Sequence, residues 1–203
     1  MQLSAVLFDR DGTVIFDRHY LKDPSGVELI PDVGKALKLL AGQGVDAFLV
    51  SNQSGIGRGL FGWGDLRACQ ERLDELLRRE GTCFKDSRFC PHAPEERCSC
   101  RKPLTGMWES LRHAYGLDPA RCAMIGDKEE DLLFGRNAGM PACILVLTGK
   151  GRQTAARLGV DIDAADSLLT PVPAGTWTAA GDSRCSFYAA KNAYEAVQGL
   201  LSL

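Results

Sequence analysis

Short, mostly apolar runs recur along the 203-residue chain, each separated from the next by a stretch of helical periodicity. Ala5-Val6-Leu7-Phe8 is one, residues 46–50, 122–125 and 142–147 are others, and 88–90 is a shorter one. An apolar run without alternation reads as a strand buried on both faces. Such strands, alternating with helices, pack as a parallel sheet covered on both sides. The expected fold class is therefore α/β, a Rossmann-like three-layer sandwich with a central mostly parallel sheet and no large cap domain. Asp32 is expected to cap a helix to Gln43, with Val33, Ala36, Leu37 and Leu40 on one face and Gly44 as its stop. Residues 65–80 are amphipathic, with Leu66, Cys69, Leu73, Leu76 and Leu77 inward and Gly81 at the end. Further helices are expected over 105–115, 129–137 and 153–158, and a last one over 187–201. Residues 170–185, rich in Pro, Gly, Ala, Ser and Thr, are expected to be irregular.

Composition removes several function classes. A net charge of −2 without a basic stripe gives no electrostatic reason to bind nucleic acid or an anionic membrane. No apolar stretch approaches the ~20 residues that a membrane span needs. The N-terminal apolar run stops at Asp9 and has no basic region before it, so no signal peptide is expected. Eight cysteines in such a chain point to a reducing cytoplasm and to metal rather than to a disulfide framework.

Four of the metal-binding candidates are close together. Cys90, His92, Cys98 and Cys100 form the pattern C-x-H-x5-C-x-C, which runs straight into Arg101-Lys102-Pro103. Residues two apart on an extended chain point to one side, so each pair can converge from its own arm. Three thiolates and an imidazole suit a closed tetrahedral Zn2+ site, which holds structure and leaves no position for chemistry. A surface loop with free thiols is the plainer alternative. Cys69, Cys83, Cys122, Cys143 and Cys185 read as core or incidental.

In an open α/β sheet, ligands bind beyond the carboxyl ends of the strands. Asp9-Arg10-Asp11-Gly12-Thr13 follows the first run, Ser51-Asn52-Gln53-Ser54-Gly55 the second, and Gly126-Asp127-Lys128 the third, with Asp131 one helical turn on. Close carboxylates repel unless a cation neutralises them, and oxygen ligands in an open site suit Mg2+. A hydroxyl, a lysine and an arginine add donors for an anion. Together these groups describe phosphoryl transfer with attack by a carboxylate.

The order and spacing of these residues over 3–150 resemble the haloacid dehalogenase superfamily of phosphatases. The resemblance implies that Asp9 is the nucleophile and that Asp11 protonates the leaving oxygen and later activates water. Ser51 and Lys102 would hold the phosphoryl group, and Asp9, the backbone carbonyl of Asp11 and Asp127 would bind Mg2+. The Cys-Pro-His loop is similar to two branches of that superfamily, one acting on a heptose bisphosphate and the other on histidinol phosphate. Three features favour the heptose branch: the string from Ser51 to Gly59 with Arg58, Gly106-Met107, and Lys128. Arg58, Arg101 and Lys128 are surplus cations for a second phosphate or the sugar hydroxyls. Asn52, Gln53 and Ser54 are expected to touch substrate, and Asp17, Arg18, His19 and Tyr20 to line its entrance. Thr105 and His19 depart from the family pattern, which commonly has proline and glycine there. The expectation is thus one phosphatase domain over 1–203, with a zinc loop near 88–103 and an unassigned tail at 170–203. It would act as a monomer on a small phosphorylated sugar. The rivals are a zinc-stapled binding module without chemistry, which the intact Asp9, Asp11, Lys102 and Asp127 argue against, and a nucleic-acid end phosphatase, which the charge disfavours.

Overall fold

The structure is a computed structural model and describes residues 2–160, 168–173 and 185–203. In chain order its elements are β1 (Ala5–Phe8), α1 (Val33–Gly42), β2 (Asp46–Asn52), α2 (Trp63–Arg79), β3 (Asp86–Cys90), α3 (Gly106–Tyr115) and β4 (Cys122–Gly126). They continue with α4 (Glu129–Asn137), β5 (Ala142–Val146), α5 (Gly151–Arg157), β6 (Thr170–Pro171), β7 (Ser186–Ala190) and α6 (Ala193–Leu201).

The apolar runs pair into one sheet of order β3-β2-β1-β4-β5-β7-β6, parallel throughout except for β6. Register places Phe8 beside Leu49 and Ile125, Asn52 beside Cys90, and Gly126 beside Leu145. All these strands therefore end on one edge. From β1 the chain goes to β2 and β3 on one side and to β4 and β5 on the other, and a crevice forms at such a reversal.

Alternate residues of each strand face opposite layers. Val6, Phe8, Leu49, Ile125 and Ile144 pack with Leu37 and Leu40 of α1, Leu73 and Leu77 of α2, and Val197 and Leu200 of α6. Leu7, Phe48, Val50, Met124 and Leu145 pack with Trp108 and Leu111 of α3, Leu132 and Phe134 of α4, and Ala155 of α5. Each of the larger side chains contributes about 1.5–3 kcal/mol by leaving water. The sandwich has three layers, as the periodicity predicts.

Local differences have physical reasons. Asp32 precedes α1 but has φ 67° and makes no side-chain cap; its carboxylate instead pairs with Lys35 at 2.7 Å. Helix α2 starts two residues before Asp65, whose Oδ2 accepts from the Gly62 N–H at 2.8 Å and so closes the cap from inside the helix. Leu76 is only partly buried. Residues 187–201 are not one helix. Ser186–Ala190 forms β7 against β5, and the helix begins at Ala193, where Asn192 accepts from the Glu195 N–H at 2.9 Å. Phe187 and Tyr188 favour a strand, and the polar backbone along β5 needs a partner. Thr170–Pro171 pairs antiparallel with β7, while 174–184 of the stretch expected to be irregular lie outside the described residues. No helix among the described residues is long and apolar enough to cross a membrane.

Candidate active site and metal centres

Asp9 leaves the end of β1 with its N–H on the Ile125 carbonyl at 2.9 Å, which fixes it between β1 and β4. Lys102 arrives from the loop after β3. Its Nζ donates to Asp9 Oδ1 at 2.6 Å and to the Val50 carbonyl at 2.8 Å, and lies 2.7 Å from Asp131 Oδ1. All three side chains are buried. Asn52 holds the Lys102 backbone from both sides: the Lys102 N–H donates to Asn52 Oδ1 at 2.9 Å, and Asn52 Nδ2 donates to the Lys102 carbonyl at 3.2 Å. Its amide thus fixes the segment that carries Lys102.

Asp9, Asp127 and Asp131 bring carboxylate oxygens within 4.8 Å of one another. Burial pushes the Asp9 carboxyl up, and Lys102 only partly offsets it. Burial, then the Asp9 charge, pushes Asp127 up to about 8. Asp9 Oδ2 and Asp127 Oδ1 are buried and receive no hydrogen bond. Two orphaned oxygens in a crowded acidic cluster fit a hard divalent cation. Asp131 was not among the expected cation ligands, and its Oδ2 accepts from the Lys128 N–H at 3.0 Å. Lys128 Nζ stands 3.7 Å from Asp127 Oδ1. Burial pulls the Lys128 ammonium down, but Asp9, Asp127 and Asp131 outweigh it and hold it charged.

The Asp11 side chain lies outside this cluster. Arg10 clasps it with Nε at 3.1 Å and Nη2 at 3.0 Å, and Gln53 Nε2 donates to it at 2.8 Å. Burial raises the Asp11 pKa, yet Arg10 and Gln53 outweigh it and hold the carboxyl below its usual range. Gln53 Nε2 also donates to Ser51 Oγ at 2.8 Å, so Gln53 braces Asp11 and Ser51. Arg10 was not anticipated, because a pair one residue apart has no recognisable spacing.

A cavity of about 220 Å³ opens over Asp9, Asp11, Ser51 and Lys102. Asn52, Gln53, Ser54, Arg101 and Lys128 form its walls, and Asp17, His19 and Tyr20 its rim. Arg101 Nη1 is buried without a hydrogen bond, an unanswered donor beside an anion site. His19 and Tyr20 have φ of 53° and 58°, which glycine adopts without strain. The Asp17 carboxylate steadies that turn by accepting from the His19 N–H at 3.0 Å. Arg18 and Arg58 do not line the cavity: Arg18 pairs with Glu28 at the surface, and Arg58 is exposed. Asp127 sits beneath the walls, fully buried.

The second centre lies beside the first. Cys90 Sγ is 3.6 Å from His92 Nδ1, 3.6 Å from Cys98 Sγ and 3.1 Å from Cys100 Sγ, and His92 Nδ1 is 3.3 Å from Cys100 Sγ. A tetrahedron of Zn–S bonds near 2.3 Å has edges of roughly 3.8 Å, so the four donors fit Zn2+ with a small expansion. The Arg101 N–H points at Cys98 Sγ at 3.4 Å. Burial pushes the Cys98 thiol up, but that N–H and the Cys90 thiol outweigh it and bring it down to about 7.

A parallel sheet carrying an acidic cluster, a buried lysine and an anion pocket at its carboxyl edge defines a phosphoryl-transfer hydrolase. A HAD-hydrolase-like family model matches residues 99–169. The D-glycero-beta-D-manno-heptose-1,7-bisphosphate 7-phosphatase of Haemophilus ducreyi is 38% identical over 180 residues, 85% of this chain and 98% of that protein. Its counterpart from Bordetella bronchiseptica is 35% identical over 159 residues, 78% of this chain and 88% of that one. The crystal structure of D,D-heptose 1,7-bisphosphate phosphatase from B. bronchiseptica, complexed with magnesium and phosphate, superposes with a TM-score of 0.80 at 30% identity, covering 98% of this chain and 99% of that one. The chain belongs to the haloacid dehalogenase-like phosphatases, in the family that contains these proteins.

Proposed function

We propose that the chain is a Mg2+-dependent phosphatase that removes the 7-phosphate of D-glycero-D-manno-heptose 1,7-bisphosphate through an aspartyl-phosphate. The observation that carries the reading is the state of Asp9: Oδ1 is held by Lys102 while Oδ2 is buried without a donor. A carboxylate held by one oxygen and free at the other is oriented to attack. The relatives' printed substrate, and the uncommitted Arg101 at the cavity wall, support a bisphosphate over a single ester.

In the first step the free Asp9 oxygen bonds to phosphorus and the bond from phosphorus to the sugar oxygen breaks. Asp11 gives that oxygen its proton. In the second step Asp11 takes a proton from water, the water oxygen attacks phosphorus, and Asp9 is released with inorganic phosphate. The Arg10 pair favours the ionised Asp11 that takes the proton in the second step, while the anionic phosphoryl group brought against the carboxylate favours the protonated form that gives it in the first. Lys102 and Ser51 receive phosphoryl oxygens, and Arg101 and Lys128 meet the phosphate that stays on the sugar. Asp9, Asp127 and the Asp11 carbonyl would hold Mg2+, which supplies the charge that lets an anionic nucleophile approach an anionic ester. Cys90, His92, Cys98 and Cys100 would hold Zn2+ as a fixed knot behind Arg101 and Lys102.

Asp9→Asn is expected to abolish Mg2+-dependent phosphate release from the heptose bisphosphate while the thermal unfolding midpoint stays within a few degrees. Retention of a substantial part of wild-type turnover would remove Asp9 from the nucleophile role.

A further inference from the structure

The turn after β5 carries no residue in the scheme above, yet it touches both of the segments that bear the cation ligands. Thr148 Oγ1 donates to the Gly12 carbonyl at 2.6 Å, a contact across 136 positions of chain. The Lys150 N–H donates to Asp127 Oδ2 at 2.8 Å, and Thr154 Oγ1 donates to the Asp127 backbone carbonyl at 3.1 Å. There is no slack between these segments. A Cβ on Gly149, whose φ is +53°, would lie 2.5 Å from Gly12 Cα and 2.3 Å from Asp127 Oδ2. A Cβ on Gly12, at φ +94°, would lie 2.3 Å from the same oxygen.

The consequence is a choice between two otherwise equivalent oxygens. Lys150 engages Asp127 Oδ2, and Oδ1 remains buried without a hydrogen bond. Across the site Lys102 makes the same choice at Asp9, engaging Oδ1 and leaving Oδ2. Thr148 meanwhile holds the carbonyl of Gly12, the neighbour of Asp11, whose own carbonyl is the third expected ligand.

We infer that Thr148 is a positioning residue of the cation site, and that the Thr148-Gly149-Lys150 turn is a fifth active-site segment. It sets the spacing between the Asp9–Gly12 turn and Asp127 so that the free oxygen of Asp127 faces the cation. The inference rests on the metal-dependent reading above and adds to it the residue that preorganises the ligands.

The test is direct titration of the full chain with Mg2+ by calorimetry, alongside thermal unfolding without Mg2+. Thr148→Val keeps the shape and removes the donor; it is expected to weaken Mg2+ binding by about tenfold, the effect of one well-placed hydrogen bond. Thr148→Ser restores the hydroxyl and is expected to bind within about twofold of wild type, with both variants unfolding near the wild-type midpoint. Thr148→Ala makes the same comparison if valine is not tolerated. Wild-type affinity in the Val variant, or a Ser variant as weak as Val, would overturn the inference. A wild-type chain that binds Mg2+ yet hydrolyses no phosphate ester would sink the phosphatase reading and leave the Thr148 result standing.

Discussion

Lys102 is buried between two carboxylates, and the charge balance of the site turns on it. Burial alone would lower its pKa, but Asp131 and Asp9 outweigh that and keep it protonated. Lys102→Met would leave those two acids facing each other in a buried space, at about 3–5 kcal/mol of stability. The sign of the pH dependence follows. Asp9 already has a raised pKa, and loss of the cation raises it further, so the folded variant holds more protons than the unfolded chain. Stability then falls as pH rises, and urea unfolding should show a larger deficit at pH 8 than at pH 5.5. An equal deficit at both would mean that the charges are not coupled as described. At this scale Asp9, Asp11 and Asp127 stand out in the sequence because each follows an apolar run, and Lys102 stands out through the family resemblance. Asn52 and Gln53 line the cavity, but their partners Lys102 and Asp11 were not legible, since those contacts lie 50 and 42 positions away.

Among the elements, the zinc loop is joined to the loop after β2 more closely than its spacing suggests. The Gln53 N–H donates to the Cys90 carbonyl at 2.7 Å, and the Gly57 N–H to the Pro91 carbonyl at 2.9 Å. The Gly106 N–H donates to the Ser99 carbonyl at 3.0 Å, which ties the far side of the knot to the start of α3. The loop thus positions Gln53, which braces Asp11, as well as Arg101 and Lys102. Stripping Zn2+ with a strong chelator under reducing conditions should raise KM for the bisphosphate by about tenfold or more, an effect of the size seen when supporting contacts of a site are lost. The far-ultraviolet circular dichroism of the sheet and helices should hold. An unchanged KM after verified zinc loss would disconnect the loop from the site. The buried strands were legible because apolar runs without alternation have few other homes. Strand β7 was not, since Ser186–Ala190 offers five residues of mixed character and owes its extended form to the β5 edge.

Over the whole molecule, the parallel sheet gathers residues from positions 9 to 154 at one edge and concentrates negative charge there. Burial and the Asp9 charge push the Asp127 carboxyl up to about 8, from an ordinary value of 3.8. A raised carboxyl pKa gives stability that is present below the unfolded value and lost as pH rises toward the folded one, here between about 4 and 8. Mg2+ binds the ionised form, so the rise in Tm on adding saturating Mg2+ should be larger at pH 8 than at pH 6. A shift that shrinks with pH would contradict a carboxylate cation site. The reaction class could be read from sequence, because it depends on residue types at strand ends. Arg18 and Arg58, expected at the substrate and found outside the cavity, show that reach is set by loop geometry. The central claim is hydrolysis of a sugar bisphosphate at the Asp9 edge, and its most direct test is a side-by-side comparison of kcat/KM. Both anomers of D-glycero-D-manno-heptose 1,7-bisphosphate should be compared with histidinol phosphate, at saturating Mg2+. The prediction is a preference for a heptose bisphosphate anomer by about a hundredfold or more, in line with the loss of a charge-paired phosphate. A preference for histidinol phosphate would contradict it.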